Sequence, residues 1–290
     1  MRVTNLMLGQ NLLANLDTVQ NNIQKYENQL ASGQQITQPS DDPVGIQLAL
    51  SLKGQLSDNG QWQANASQGL SFLQTTGTTM QNILQMMQRA RDLAVQAGNG
   101  TITGDDRQAM ASEVQQIQAQ MGSLANTQVG DKYIFAGTST SAPWTGGTGW
   151  TGNNGSLTTQ VGKGVQVPIN SDFTGLFGGA NSIFNVLNTF VNDLNSNNLS
   201  GVQTDIGNID TQVQNFDEKN AEIGALTNRI QNVQQQLSQT AVSLNQNLST
   251  VQDANIAKVV TQLTTAQNVY QAALAVGARY IQPSLVDFLQ

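Results

Sequence analysis

The chain has 290 residues, of which 38% are apolar, 5% aromatic and only 11% charged; its net charge is −7 and it contains neither cysteine nor histidine. The missing Cys excludes disulfides and thiol chemistry, and the missing His removes the commonest general base and metal ligand. A negative surface repels phosphate backbones and anionic lipid, which argues against nucleic acid and membrane as partners; no apolar run approaches the roughly 18 residues of a membrane span.

From the N-terminus, Met1-Arg2-Val3-Thr4-Asn5-Leu6 leads into Asn and Gln without the apolar core of a cleaved signal peptide. A first helix is expected over Asn5–Ala31. Its apolar residues Leu12, Leu16, Val19, Ile23, Tyr26 and Leu30 recur at steps of four and three, which places them on one helix face. Ser32-Gly33 stops it, because Gly tolerates the left-handed conformation of a helix C-terminus. An extended stretch follows to Ser40. Asp42 then caps a second helix with Pro43 at its first position, running to about Gln96 and turning Ile46, Leu50, Leu70, Leu73, Met80, Ile83, Leu84, Met87 and Leu93 inward.

Gly98-Asn99-Gly100-Thr101 is a turn, and Thr103 or Asp105 caps a third helix over about Asp106–Asn126. Beyond Asp131 the character changes. Tyr133-Ile134-Phe135 favours strand, and 11 of the 27 glycines fall between Gly137 and Gly179, among short runs such as Val165-Gln166-Val167. This predicts a small β module that projects from a helical scaffold and can be removed without disturbing it. Helical patterning returns over Ser182–Leu194 and Val202–Phe216. A last long helix is expected from Asp217 to about Ile281, broken near Gln252–Asn255 and ended by Pro283. Its stripe runs through Leu226, Ile230, Val233, Leu237, Ala241, Leu244, Leu248 and Val251. A second phase passes through Ile256, Val260, Leu263, Ala266, Tyr270, Leu274 and Ile281. Two long stripes at the two chain ends suit assembly, although in a compact bundle they would be intramolecular core.

Few residue groups offer chemistry. Asp41-Asp42 and Asp105-Asp106 are better explained as turns and helix caps than as metal or acid–base pairs. Gly147-Thr148-Gly149-Trp150-Thr151-Gly152 has the glycine spacing of a dinucleotide loop, but more Gly, Asn and Thr follow where a helix is required. Met80, Met86, Met87, Met110 and Met121 have helical spacing and fit adaptable core packing better than a binding face. Arg89 and Arg91 stand in a helix otherwise short of charge, on a solvated face or in intrachain pairs. No catalytic residue, metal ligand or cofactor site is assigned.

Four runs, in order, resemble the bacterial flagellin superfamily: Leu30–Pro43, Gln88–Gln96, Asn126–Gly137, and Tyr270–Leu274 together with Ser284–Leu289. The form Pro39-Ser40-Asp41-Asp42-Pro43 is similar to the members that join hook to filament. The resemblance covers about Met1–Gly137 and Val202–Gln290 and implies a mainly α fold. Long coiled-coil-like terminal helices (1–43 and 251–290) would form an inner part, and 44–137 with 202–250 a helical rod domain with a small β element. A β-rich outer domain (138–201, strands within 138–179) would be inserted. It implies subunit packing through Leu12, Leu16, Val19, Ile23, Leu30, Leu263, Tyr270, Leu274, Ile281, Leu285 and Phe288, with Arg89 and Arg91 as candidate lateral contacts between subunits. The implied partners are further copies of the chain, hook-associated protein 1, flagellin and a dedicated export chaperone. The implied location is the extracellular flagellum, reached through the flagellar type III channel. A filament subunit is the alternative; an enzyme in the outer domain is disfavoured by the missing His and Cys.

Overall fold

In the computed structural model the backbone is described for residues 5–286, and side chains for residue 7 and residues 9–278. The elements are α1 (Asn5–Ser32), α2 (Pro43–Ala97), α3 (Gly104–Ala125), β1 (Gln128–Val129), β2 (Lys132–Tyr133), β3 (Trp144–Gly146), β4 (Gly149–Trp150), β5 (Thr158–Gly162), β6 (Val165–Pro168), α4 (Thr174–Phe177), α5 (Ile183–Asn195), α6 (Leu199–Gln252) and α7 (Ile256–Val286). The strands form three separate antiparallel two-stranded sheets, β1-β2, β3-β4 and β5-β6. The fold is mainly α, and two compact units divide it: residues 1–58 with 241–290, and residues 59–240. The second unit holds the insert as well as the helices that flank it.

Helix ends follow local chemistry. Gly33 closes α1 at φ +68°, a conformation that costs Gly least. Thr103 caps α3, its hydroxyl accepting the Asp106 N–H at 3.2 Å, while Asp105 and Asp106 occupy the first turn. Two expectations fail at helix ends. The segments Val202–Phe216 and Asp217 onward are one uninterrupted helix, α6, and α7 is helical past Pro283 as far as Val286.

The second unit is built on a seven-residue rhythm. On α2, Asn59, Ala66, Leu73, Met80, Met87 and Ala94 are all at most 2% exposed. On α6, Val202, Ile209, Phe216, Ile223 and Ile230 are likewise buried, with Leu237 next in the series. A strict seven-residue period keeps one face of a helix turned to its partner. The two helices run antiparallel: Ile206 lies over Gly98, Ile223 over Gly77 and Ile230 over Gly69. Leu50, predicted to turn inward, is 63% exposed; Ala49 and Leu52 are buried beside it.

The scarce aromatic residues are concentrated where α5, α6 and the insert meet. Phe177 touches Phe135, Trp150, Phe184 and Phe216 at ring-centroid distances of 5.1, 4.8, 5.8 and 5.3 Å. Each such pair adds roughly 0.5–1.5 kcal/mol beyond its area burial. Here the insert departs from the detachable module predicted for 138–179. Val161, Val167, Ile169, Phe173, Leu176 and Phe177 are buried in the main core. The β5-β6 hairpin also lies on α2, where Asn65 Nδ2 donates to the Gln160 carbonyl at 2.9 Å and Thr159 Oγ1 to the Asn65 carbonyl at 3.3 Å.

Candidate assembly surfaces

In the first unit α1 packs against α7. The predicted α1 stripe, Leu12, Leu16, Val19, Ile23, Tyr26 and Leu30, is half-buried along its whole length. Two helices alone cannot enclose a stripe, so each residue keeps part of its apolar surface in water. On α7 the covered face is Val259, Leu263, Ala266, Tyr270, Ala273 and Gly277. This corrects the predicted second phase. Leu263, Ala266 and Tyr270 belong to the covered face, whereas Ile256, Val260 and Leu274 stand outside it, each 47% exposed. Sequence alone could not choose, since apolar residues at steps of three and four run along both faces of this helix. Ile281, Leu285 and Phe288 lie outside the residues whose side chains are described.

Both helices break at one level, and backbone bonds join the breaks. Gln35 N–H donates to the Gln252 carbonyl at 2.7 Å and Ala254 N–H to the Gly33 carbonyl at 2.9 Å. Side-chain amides reinforce them: Gln252 Nε2 donates to Gln34 Oε1 at 2.8 Å, and Gln29 Nε2 to the Gln35 carbonyl at 2.9 Å. Lys25 pairs with Asp41 at 3.0 Å. Burial pushes the Asp41 carboxyl up, but the Lys25 hydrogen bond and those from Thr37 and Gln38 outweigh it and hold the group below its ordinary value. Asp42 Oδ1 accepts the N–H groups of Val44 and Gly45 at 3.0 and 2.9 Å, with Pro43 as the first residue of α2. The two neighbouring carboxylates therefore do two structural tasks, one securing the loop and one capping the helix.

The exposed apolar surface is unevenly shared. Of the 13 large hydrophobic residues exposed among the described residues, 11 belong to the first unit; the exceptions are Val95 and Val165. The first unit thus carries, on fewer residues, most of the large apolar side chains left exposed.

In the second unit Arg89 and Arg91 are both in intrachain ion pairs, Arg89 with Glu113 at 2.7 Å and Arg91 with Asp210. These pairs are solvent-exposed, where each contributes at most about 1 kcal/mol. Met86 and Arg89 line a shallow groove between α2 and α3 with Ile117 and Leu124; Met80, Met87, Met110 and Met121 are core. The Gly147–Gly152 run forms the β3-β4 hairpin, with Gly146 and Gly147 at positive φ, and opens no helix. Among the described residues no cluster of three or more acidic residues could hold a metal ion, and no helix is long and apolar enough to cross a membrane.

Two family models match the chain. The bacterial flagellin N-terminal helical region matches residues 3–140, and the bacterial flagellin C-terminal helical region residues 206–289. The chain is 27% identical to flagellin FlaB1 of Treponema pallidum over 86% of its own length and 85% of that protein. It is 31% identical to flagellar hook-associated protein 3 of Salmonella typhimurium, over 56% of this chain and 52% of the relative, about half of each. Among solved structures it resembles a putative flagellar hook-associated protein from Vibrio parahaemolyticus, with a TM-score of 0.68 and 22% identity over 73% of this chain and 99% of that one. Hook-associated protein 3 from Legionella pneumophila gives a TM-score of 0.62 at 14% identity, over 69% and 98%. Those two likenesses establish the fold, and the paired family models, bracketing the insert on both sides, establish the lineage: this chain is a structural protein of the bacterial flagellum and belongs to the flagellin family.

Proposed function

We propose that the chain is a hook–filament junction subunit, assembling in multiple copies through its terminal helices between hook-associated protein 1 and the flagellin filament. The observation that carries assembly is the concentration of exposed apolar side chains in the first unit. Leu12, Leu16, Val19, Ile23, Leu30, Leu263 and Tyr270 are assigned to the seam within each copy, completed by neighbours. Leu274, with Ile256 and Val260, is assigned to contacts between copies. Burying such surface contributes about 25 cal/mol per Å², which favours ordered stacking over monomers. Ile281, Leu285 and Phe288 extend the same set. Arg89 and Arg91 are candidates for lateral contacts, since an exposed intrachain pair is readily shared with a neighbour. The division into terminal helices (1–43, 251–290), helical rod (44–137, 202–250) and outer part (138–201) belongs to the same proposal. So do export through the flagellar type III channel and capture of the C-terminal region by a chaperone beforehand.

The junction role, rather than a place in the filament, is supported by Pro39-Ser40-Asp41-Asp42-Pro43, whose aspartates hold the loop and cap α2, and by the similarity to hook-associated protein 3. A filament subunit is the second reading. It is favoured by a match to Bacillus subtilis flagellin at 26% identity across 96% of both chains. A deletion strain separates the two. Loss of a junction leaves hooks without filaments while another flagellin is secreted into the medium. Loss of the filament subunit leaves no secreted flagellin, and that outcome rejects the junction role.

A further inference from the structure

The chain contains three Asn-Gly pairs, Asn59-Gly60, Asn99-Gly100 and Asn154-Gly155. Asn-Gly is the dipeptide most open to intramolecular attack on the Asn side chain, because Gly presents no Cβ to block the approach of its amide nitrogen. We propose that Asn99-Gly100, in the turn between α2 and α3, is a site of spontaneous covalent modification, converting to aspartate and iso-aspartate in the folded protein while the other two pairs are protected.

The reaction needs only water. The Gly100 nitrogen attacks Asn99 Cγ, losing its proton to solvent, and a C–N bond forms. The Cγ–Nδ2 bond then breaks and ammonia leaves, giving a cyclic imide. Water adds to one of the two imide carbonyls. One opening restores the ordinary backbone as Asp; the other routes the main chain through the side chain as iso-aspartate. In total one water is consumed and one ammonia released, without redox change.

The fold distinguishes the three pairs. Asn59 is 2% exposed inside α2, where the Gly60 amide is committed to the helical ladder. At Asn154 the Gly155 N–H donates to Asn153 Oδ1 at 2.9 Å, and its carbonyl accepts from Asn170 Nδ2 at 2.9 Å, so the attacking nitrogen is engaged and the backbone pinned. Asn99 and Gly100 are both exposed, with open space around Gly100. Among the described residues no acceptor takes the Gly100 N–H. Asn99 Oδ1 accepts two hydrogen bonds from Thr101, from its N–H at 3.3 Å and its hydroxyl at 3.1 Å. Attack on Cγ drives negative charge onto that oxygen, so the Thr101 donors stand where they stabilise the tetrahedral intermediate.

The test holds the purified full chain, folded, in mildly alkaline buffer below its melting temperature. Peptide mass mapping follows each site, and an iso-aspartate methyltransferase identifies the rearranged product. Asn99 is expected to convert roughly tenfold faster than Asn154 or Asn59, a ratio that corresponds to about 1.4 kcal/mol in barrier. In denaturant the three rates converge, which separates the effect of the fold from that of the dipeptide. Thr101→Val, which keeps the backbone donor and loses the hydroxyl, slows Asn99 severalfold. An Asn99 rate no higher than that of Asn154 in the folded chain overturns the proposal; a rate unmoved by Thr101→Val overturns the role of Thr101.

Discussion

The indole of Trp144 lies across Gly122 of α3 so closely that any side-chain carbon at Gly122 would overlap the ring. Asn126, one turn further along, fixes the same residue at both ends of its backbone. Its Nδ2 donates to the Trp144 carbonyl and its Oδ1 accepts the Trp144 N–H, both at 2.9 Å. The insert is therefore fastened to the helices at its first strand. Gly122→Ala should lower the stability of the second unit by about 1–3 kcal/mol, the usual cost of overpacking. Thermal melting followed by near-ultraviolet circular dichroism reads both the stability and the Trp environment. An unchanged melt with an unchanged aromatic signal would contradict this placement.

Removing residues 138–179 should abolish the cooperative melt of the second unit rather than leave it intact. The deletion takes Val161, Val167, Ile169, Phe173, Leu176 and Phe177 out of the core. At roughly 1.5–3 kcal/mol per buried apolar side chain the loss is on the order of 10 kcal/mol, comparable with the whole stability of a domain. Calorimetry of the deletion variant decides the matter. A sharp transition near that of the intact chain would mean that the flanking helices are self-sufficient.

Helix ends were legible in the sequence wherever a specific chemistry sets them: Gly33 after α1, Asp42 and Pro43 before α2, Thr103 before α3. The continuity of α6 was not. Its buried seven-residue series, Val202, Ile209, Phe216, Ile223, Ile230 and Leu237, is interleaved with Asp205, Gln212 and Lys219, and those polar residues hide the repeat. On α2 the same disguise comes from Asn59, Ala66 and Ala94, which are too small or too polar to register as core. The α1 stripe was readable because most apolar residues of that helix share one face, with Met7 and Leu13 as exposed exceptions. On α7 apolar residues populate two faces, and only the partner helix decides which is covered. The burial of the insert was invisible for a further reason. Its Gly, Ser and Thr content describes its surface, while a handful of Phe and Val residues make the contacts.

Asp205 gives a pH signature. It is 2% exposed, and its Oδ2 has no hydrogen-bond partner among the described residues. Burial, with the Asp193 carboxylate beside it, pushes its pKa from 3.8 to about 6, against a hydrogen bond from Asn208. The folded state thus holds this proton more tightly than the unfolded state. The associated stability is fully present below about pH 3.8 and is lost as pH rises to about 6. Asp205→Asn should leave stability unchanged at the acid end and raise it near neutrality, by up to about 3 kcal/mol. Denaturant unfolding at a series of pH values tests the sign. A variant less stable than the parent at pH 8 would show that the charged form is needed.

Leu16 and Leu274 offer a paired test of which apolar surface serves the single chain and which serves assembly. Leu16 is half-buried in the seam between α1 and α7, whereas Leu274 points out of that seam and is 47% exposed. A carboxylate at position 16 is forced against apolar α7 side chains, and part of its desolvation cost, a few kcal/mol in a dry site, falls on the monomer itself. A carboxylate at position 274 stays hydrated in the monomer and meets that cost only when a neighbouring copy covers it. Leu16→Asp should therefore reduce α1–α7 pairing in the isolated chain, seen as lost protease resistance of the first unit, and should also impair motility. Leu274→Asp should leave the isolated chain's circular dichroism and protease resistance unchanged and still abolish motility. If cells carrying Leu274→Asp swim normally, the outward face of α7 does not pack between copies, and the contacts that hold the assembly must be sought elsewhere in the first unit.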